Sequence, residues 1–128
     1  MPDLHGTIKD IVAGDKFYIA RRIKNVPTTD SLEKAWFTIK VRKSDSDSQA
    51  VLQKTIVPVD NGNQGFIMDT GTDGVAQLAF VLLPTETILL QEHQTYYYDV
   101  QVRTVNGLLT TPEVGTLIVT ESVTLDES

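Results

Sequence analysis

Between Thr95 and Thr120 the chain reads TYYYDVQVRTVNGLLTTPEVGTLIVT, and over its first half polar and apolar positions separate with a period of two. Tyr96, Tyr98, Val100 and Val102 fall on one side and Tyr97, Asp99, Gln101 and Arg103 on the other, the pattern of a half-buried antiparallel strand. Asn106-Gly107 supplies the residues that tolerate positive φ in a tight hairpin connection. From Gly115 onward, Thr116-Leu117-Ile118-Val119-Thr120 is rich in β-branched residues and reads as the last strand.

The same reading applied to the rest of the chain gives further short strands. Thr7 to Val12 and Phe17 to Ile23 flank a turn at Ala13-Gly14-Asp15-Lys16, and Asn25 to Lys34, with Pro27, reads as a loop. Ala35 to Val41 alternates so that Phe37, Ile39 and Val41 point inward. KSDSDSQ, from Lys43 to Gln49, is a polar loop or single helical turn, because Ser and Asp side chains compete with the backbone for hydrogen bonds. Val51 to Val59 is a strand whose Pro58 suits an edge or a terminus. A loop at Asp60 to Gly65, a short strand at Phe66-Ile67-Met68 and a turn at Thr70 to Gly74 lead into Val75 to Leu83, an almost continuous apolar run that fits a strand with both faces covered or a sandwich centre. Pro84 ends it, and Thr85 to Gln91 has room for one short helical turn with Glu86 near its positive end.

About seven to nine short strands with polar turns and at most one helical turn predict an all-β chain, an immunoglobulin-like antiparallel β-sandwich, with a small closed barrel as the structural alternative. The 128 residues fit a single domain, 1–128, with polar arms at 1–6 and 121–128. The absence of cysteine removes disulfides and thiolate metal sites, so packing and polar contacts must hold the fold. A net charge of −6 argues against a general nucleic-acid binder. No apolar run approaches the ~20 residues of a membrane span, and MPDLHGTIKD lacks the segments of a signal peptide, so the expectation is a soluble protein made in the cytoplasm.

Three blocks, AWFTIKVRKSDSDSQAVLQKTI, DTGTDGVAQLAFVLLPTET and TYYYDVQVRTVNGLLTTPEVGTLIVT, resemble in order and spacing the immunoglobulin-like module at the N-terminus of tailed-bacteriophage baseplate upper proteins and of related small virion proteins. The likeness runs from about Gly14 to Thr120 and rests on strand-and-turn patterns. It implies a virion structural protein that acts by assembly in a tail, baseplate or head, made in the host cytoplasm, with other virion proteins and copies of itself as partners. It carries over no catalytic residue and no cofactor. The matching positions Trp36, Gly74 and Tyr98-Asp99 have packing, turn and edge roles. Two departures stand out: Ser31-Leu32-Glu33-Lys34 replaces the family's short aspartate-leucine turn, and no long C-terminal extension follows the module, so its own surface must find its partners.

Among candidate chemistry, Arg21, Arg22 and Lys24, with Lys40, Arg42 and Lys43, form a modest basic cluster suited to an acidic neighbouring subunit; a solvated face is the plainer reading. Asp45 and Asp47 offer oxygen ligands for Ca²⁺, yet two carboxylates without the glycine and glutamate of an EF-hand loop favour a solvated loop. Tyr97 is the residue of the tyrosine run placed to meet a glycan, which makes a carbohydrate-binding or host-recognition module the first alternative function. Asp69-Thr70-Gly71 matches the aspartic-protease tripeptide and gives a remote alternative, a homodimeric protease using Asp69. A polar β-turn explains those three residues more simply, since the motif lies past the chain midpoint and leads directly into another strand. His5 and His93 have no triad or metal-ligand spacing and read as surface residues.

Overall fold

The computed structural model describes residues 3–42, 44–46 and 49–120, with side chains from Thr7 onward except that of Asp10. Eight strands and one helical turn follow in the order β1 (Asp3–Val12), β2 (Phe17–Ile23), β3 (Leu32–Lys40), β4 (Leu52–Ile56), β5 (Gly65–Thr70), β6 (Ala76–Leu82), α1 (Pro84–Thr87), β7 (Thr95–Thr104) and β8 (Leu109–Thr120). They form a five-stranded sheet, β1-β8-β7-β3-β4, packed on a three-stranded sheet, β2-β6-β5. This is the immunoglobulin-like arrangement, with β2, β6 and β5 in the places of strands B, E and D and β8, β7, β3 and β4 in those of G, F, C and C′. All pairings between strands are antiparallel except β1 with β8, which is parallel. Parallel neighbours need a long crossover, and here everything from β2 to β7 is that crossover.

The alternation along β7 is realised in full: Tyr96, Tyr98, Val100 and Val102 are buried and the residues between them are half-buried. The hairpin that follows turns at 105–107, with Gly107 at φ 91° and Thr104 N–H donating to the Leu108 carbonyl, a three-residue connection closed by a residue in the left-handed region. In the middle, the Phe37 ring on β3 lies 5.3 Å from that of Tyr98 on β7 and 5.5 Å from that of Phe80 on β6, so one aromatic cluster joins the two sheets. The neighbouring Trp36 faces outward, with the cations of Lys34 and Arg103 at 5.3 and 5.6 Å from its ring. Tyr96 accepts a hydrogen bond from the Gln91 backbone N–H at 2.7 Å, fixing the entry into β7 as the tyrosine corner does in immunoglobulin sandwiches.

Several boundaries differ from the expectation. Val41 is exposed because β3 ends at Lys40, and Val57 and Val59 are exposed because β4 ends at Ile56. β3 begins inside the expected loop at the buried Leu32, which pairs with Thr104 ahead of a register shift at Glu33. β8 starts six residues before Gly115 and tolerates Pro112, which lies at an irregularity opposite Gln101 where no ladder donor is needed. Asp3–Gly6, expected in an arm, belong to β1 beside β8, while residues 1, 2 and 121–128 lie outside the described part.

The two flanks of the sandwich are built differently. Where β4 and β5 meet, Ile67 N–H donates to the Val57 carbonyl at 2.9 Å and Thr55 N–H to Gln64 Oε1 at 3.1 Å. Lys54 is fully buried there, its ammonium 2.7 Å from both carboxylate oxygens of Glu86 on α1 and 2.8 Å from the Asn63 carbonyl. Glu86 in turn accepts from the Leu83 N–H, so α1 is tied to the strand edge that it covers. On the other flank, among the described residues, β1 pairs with β8 alone and β2 with β6 alone, and a cleft separates their outer edges.

Replacing Phe37 by Ala is expected to lower unfolding stability by about 3–5 kcal/mol, since it opens a cavity between the sheets. Gly65→Ala is expected to cost at least ~2 kcal/mol, because Gly65 sits at φ 118° and a Cβ there would lie 1.9 Å from the Ala79 carbonyl oxygen. Urea denaturation of both variants checks these values.

Candidate interaction surface

On β2, Ile19, Arg21 and Ile23 share the inward face, and on β8 Glu113 keeps phase with Leu117 and Val119. Two charges from opposite sheets therefore point at each other on the open flank. Arg21 Nε lies 2.9 Å from both Glu113 carboxylate oxygens, and Tyr98 Oη donates to Glu113 Oε2 at 2.6 Å. Arg21 also donates through Nη1 to the Ala20 carbonyl, which covers one acceptor of the β2 edge. The Glu113 side chain is 9% exposed and that of Arg21 17%, so the pair is largely out of water and depends on having both partners. Burial, then the bond to Glu113 and its charge, push the Tyr98 phenol well above its ordinary range, partly offset by Arg21.

Below this contact the cleft, ≈ 420 Å³, is lined by Thr7, Ile8 and Lys9 of β1 and by Phe17, Tyr18, Ile19 and Arg21 of β2. Its lining is mixed, with Ile8, Phe17 and Ile19 apolar and Thr7, Lys9, Tyr18 and Arg21 carrying polar groups. Tyr18 is 60% exposed, with the Lys16 ammonium 5.2 Å from its ring centre. The turn at 13–16 closes the lower end, held by Thr87, whose hydroxyl accepts from Gly14 N–H and donates to the Asp15 carbonyl. At the opposite end of the sandwich the loops 24–31, 71–75 and 105–108 interlock: Val26 N–H donates to the Gly74 carbonyl, Val105 N–H to the Ser31 carbonyl and Asn106 N–H to Asp30 Oδ1. Exposed Val105, Leu108 and Leu109 lie at that end.

The structure redistributes the residues singled out in the sequence. Arg21 is committed to Glu113 inside the flank, whereas Arg22 and Lys24 are exposed near the three-loop end. Lys40 and Arg42 lie at the other end of the other sheet, because β3 runs opposite in direction to β2, so these cations do not form one patch. Asp45 is half-buried and caps its own turn, accepting from Arg42 N–H at 3.3 Å; Asp47 lies outside the described residues. Among the described residues no group of three or more His, Cys, Asp and Glu is placed to hold a metal ion. Tyr97 is half-buried on the outer face of β7, opposite Lys40 of β3 and Thr116 of β8. Asp69 accepts from Gly71 N–H at 2.9 Å as the first residue of a turn. His93 is exposed at φ 66°, with its N–H bonded to the Val119 carbonyl; the His5 side chain lies outside the described part. No helix among the described residues is long and apolar enough to cross a membrane.

The Glu113 contact and the buried Lys54 were legible in outline but not singled out. Arg21 and Lys54 each stand two residues from apolar neighbours of the inward phase, Ile19 and Ile23 or Leu52 and Ile56, and Glu113 stands four residues before Leu117 in the same phase. A charge in the apolar phase of a strand is the sequence sign of a buried pair.

Tyr98→Phe is expected to cost about 1–2 kcal/mol, since Glu113 loses one donor and keeps Arg21, and Arg21→Met about 3 kcal/mol, since the carboxylate is left in place without its cation. The pH dependence has a definite sign. A phenol whose pKa is raised by folding adds stability below its unfolded value, about 10, and loses it as pH rises through the folded value. Urea midpoints between pH 7 and 11 should show the advantage over Tyr98→Phe constant at low pH and shrinking above about 10.

No protein-family model matches this chain, and no curated protein matches it by sequence. Among solved structures the chain is similar to AggA, the major subunit of aggregative adherence fimbriae type I from Escherichia coli, with 13% identity over 90% of each chain and a TM-score of 0.37.

Proposed function

We propose that this chain is a virion structural protein of a tailed bacteriophage, an assembly module of the tail, baseplate or head that works through contacts and performs no catalysis. Its partners on this reading are other virion proteins and further copies of itself. The sequence blocks that resemble the baseplate upper protein module give the setting. The observation that carries the assembly part is the asymmetry between flanks: one is sealed by Ile67, Thr55 and Lys54, whereas the other leaves two strand edges facing a cleft. Soluble β-proteins blunt or cover such edges, and an edge left open beside apolar side chains suits strand addition by a partner.

Quantitative mass spectrometry of purified phage particles tests this reading. The protein is expected at a fixed ratio to the major capsid protein, and the ratio would separate a ring in the tail or baseplate from a lattice on the head. Its absence from particles, with the protein abundant in infected cells, would overturn the reading.

A further inference from the structure

The outward side of the three-stranded sheet has the chemistry of a covered face. An antiparallel sheet with one face in water carries polar residues on that face. Cross-strand partners point to the same side, so the register sets out three rows there: Tyr18 beside Val81, Ala20 beside Ala79 and Phe66, and Arg22 beside Gln77 and Asp69. The register shift between Ile67 and Asp69 adds the exposed Met68 to the last row. The first two rows are apolar throughout, with Tyr18 and Ala20 exposed and Ala79 and Phe66 half-buried. The outward face of the five-stranded sheet is the contrast, with half-buried Lys34, Lys40, Asp99, Gln101 and Arg103. On β6 the apolar run continues through the outward phase at Ala79 and Val81, as in a strand covered on both faces. Among the described residues, a second sheet packs on the inner side alone.

We propose that this face is a contact between two copies of the chain, related by a two-fold axis that lies between the sheets and close to the direction of β6. Such an axis lays β2 of one copy over β5 of the other. Arg22 then meets Asp69 of the other copy at both ends of the two-fold, and Ala20 lies under Phe66 of the other copy. Ala20 and Ala79 leave a hollow in the middle of the face, and the two Phe66 rings fill it. Sheets packed face to face sit ~10 Å apart, a gap that an arginine and a carboxylate close by reaching from opposite sides. Asp69 keeps its bond from the Gly71 N–H through Oδ1 and offers Oδ2 to the guanidinium. A two-fold axis across the strands would set β2 over β2 and β5 over β5, which gives Arg22 no carboxylate and Asp69 no cation, so charge selects the first arrangement. The occupant is a second copy because the face carries both halves of what it needs: cation and anion, hollow and ring. Three strands ~4.8 Å apart and seven residues at ~3.4 Å give a face of about 14 by 24 Å, at the small end of specific interfaces. The pair is therefore weak in dilute solution and gains strength where other contacts hold copies together. This deepens the assembly reading and rests on it only for the biological setting.

Sedimentation velocity of the full chain from micromolar to millimolar concentration is expected to show a two-chain species. Ala20→Glu sets a carboxylate under the ring of the other copy, and Arg22→Glu and Asp69→Lys each bring like charges together; each variant alone should pair at least about tenfold more weakly. An equimolar mixture of Arg22→Glu and Asp69→Lys should recover the wild-type dissociation constant, because both charge contacts in the mixed pair are again between opposite signs. Should Asp69→Lys lose its far-ultraviolet circular dichroism, Asp69→Asn keeps an oxygen for the Gly71 N–H and should pair with Arg22→Glu more tightly than Arg22→Glu pairs with itself. A wild type that stays monomeric throughout, an Ala20→Glu or Arg22→Glu variant that pairs like wild type, or a mixture that pairs no better than its components would overturn the proposal. A monomeric wild type whose melting temperature falls in Ala20→Glu would show the face covered within one chain and overturn it as well. All of these outcomes are read on purified protein, so they stand apart from the presence or absence of the protein in particles.

Discussion

The contact between Arg21 and Glu113, with Tyr98 as its third member, is the constraint on which the open flank depends. Immunoglobulin domains of antibodies tie strand B to strand F through a disulfide, and this chain has no cysteine. Tyr98 stands on β7 two residues after the corner tyrosine Tyr96, the place of the second cysteine in those domains, and its hydroxyl reaches a carboxylate that a cation from β2 also holds. The cross-link between sheets is thus electrostatic. Such a contact differs from a disulfide in kind: removing one partner leaves a poorly solvated charge, whereas exchanging the whole set for apolar groups of similar size is often close to neutral. Its specific contribution is geometric, since it sets the spacing between β2 and β8 where no strand pairing does.

That spacing explains why one flank can be open without the sandwich coming apart. On the β4–β5 side, backbone bonds and the Lys54–Glu86 pair bring the sheets into direct contact, and the aromatic cluster of Phe37, Phe80 and Tyr98 fills the centre. On the β1–β2 side the sheets are joined through side chains of Arg21 and Glu113, so the β2 edge is held in a fixed position with no strand beside it among those described. A strand edge held rigid has already lost the conformational freedom that binding would otherwise have to remove.

The sequence carried the architecture well where the period of two was unbroken. β2 and β7 matched their expected limits and inward faces, and the apolar run at 75–83 proved to be the central strand of the three-stranded sheet, covered on both edges. It carried less where tertiary pairing overrode local pattern. Leu32 was expected in a loop and the last strand was expected only from Gly115, yet Leu32 and Pro112 both lie in strands because a register shift absorbs the irregularity. The candidate site was legible only as residues and not as a place. Arg21 and Arg22 are adjacent in sequence, but a strand sends one into the flank and the other to solvent, and no local signal tells which edge the folded sheet leaves without a neighbour.

Backbone amide exchange followed by NMR at increasing protein concentration tests the central claim most directly, because it reads edge occupancy residue by residue. In dilute solution the account predicts slow exchange at Ile67 on the sealed flank and fast exchange at the alternate β2 amides that β6 leaves without an acceptor, with protection appearing at those β2 positions as concentration rises. Protection of the whole of β2 in dilute monomer, or fast exchange of its outer amides at every concentration, would contradict an open edge that serves assembly.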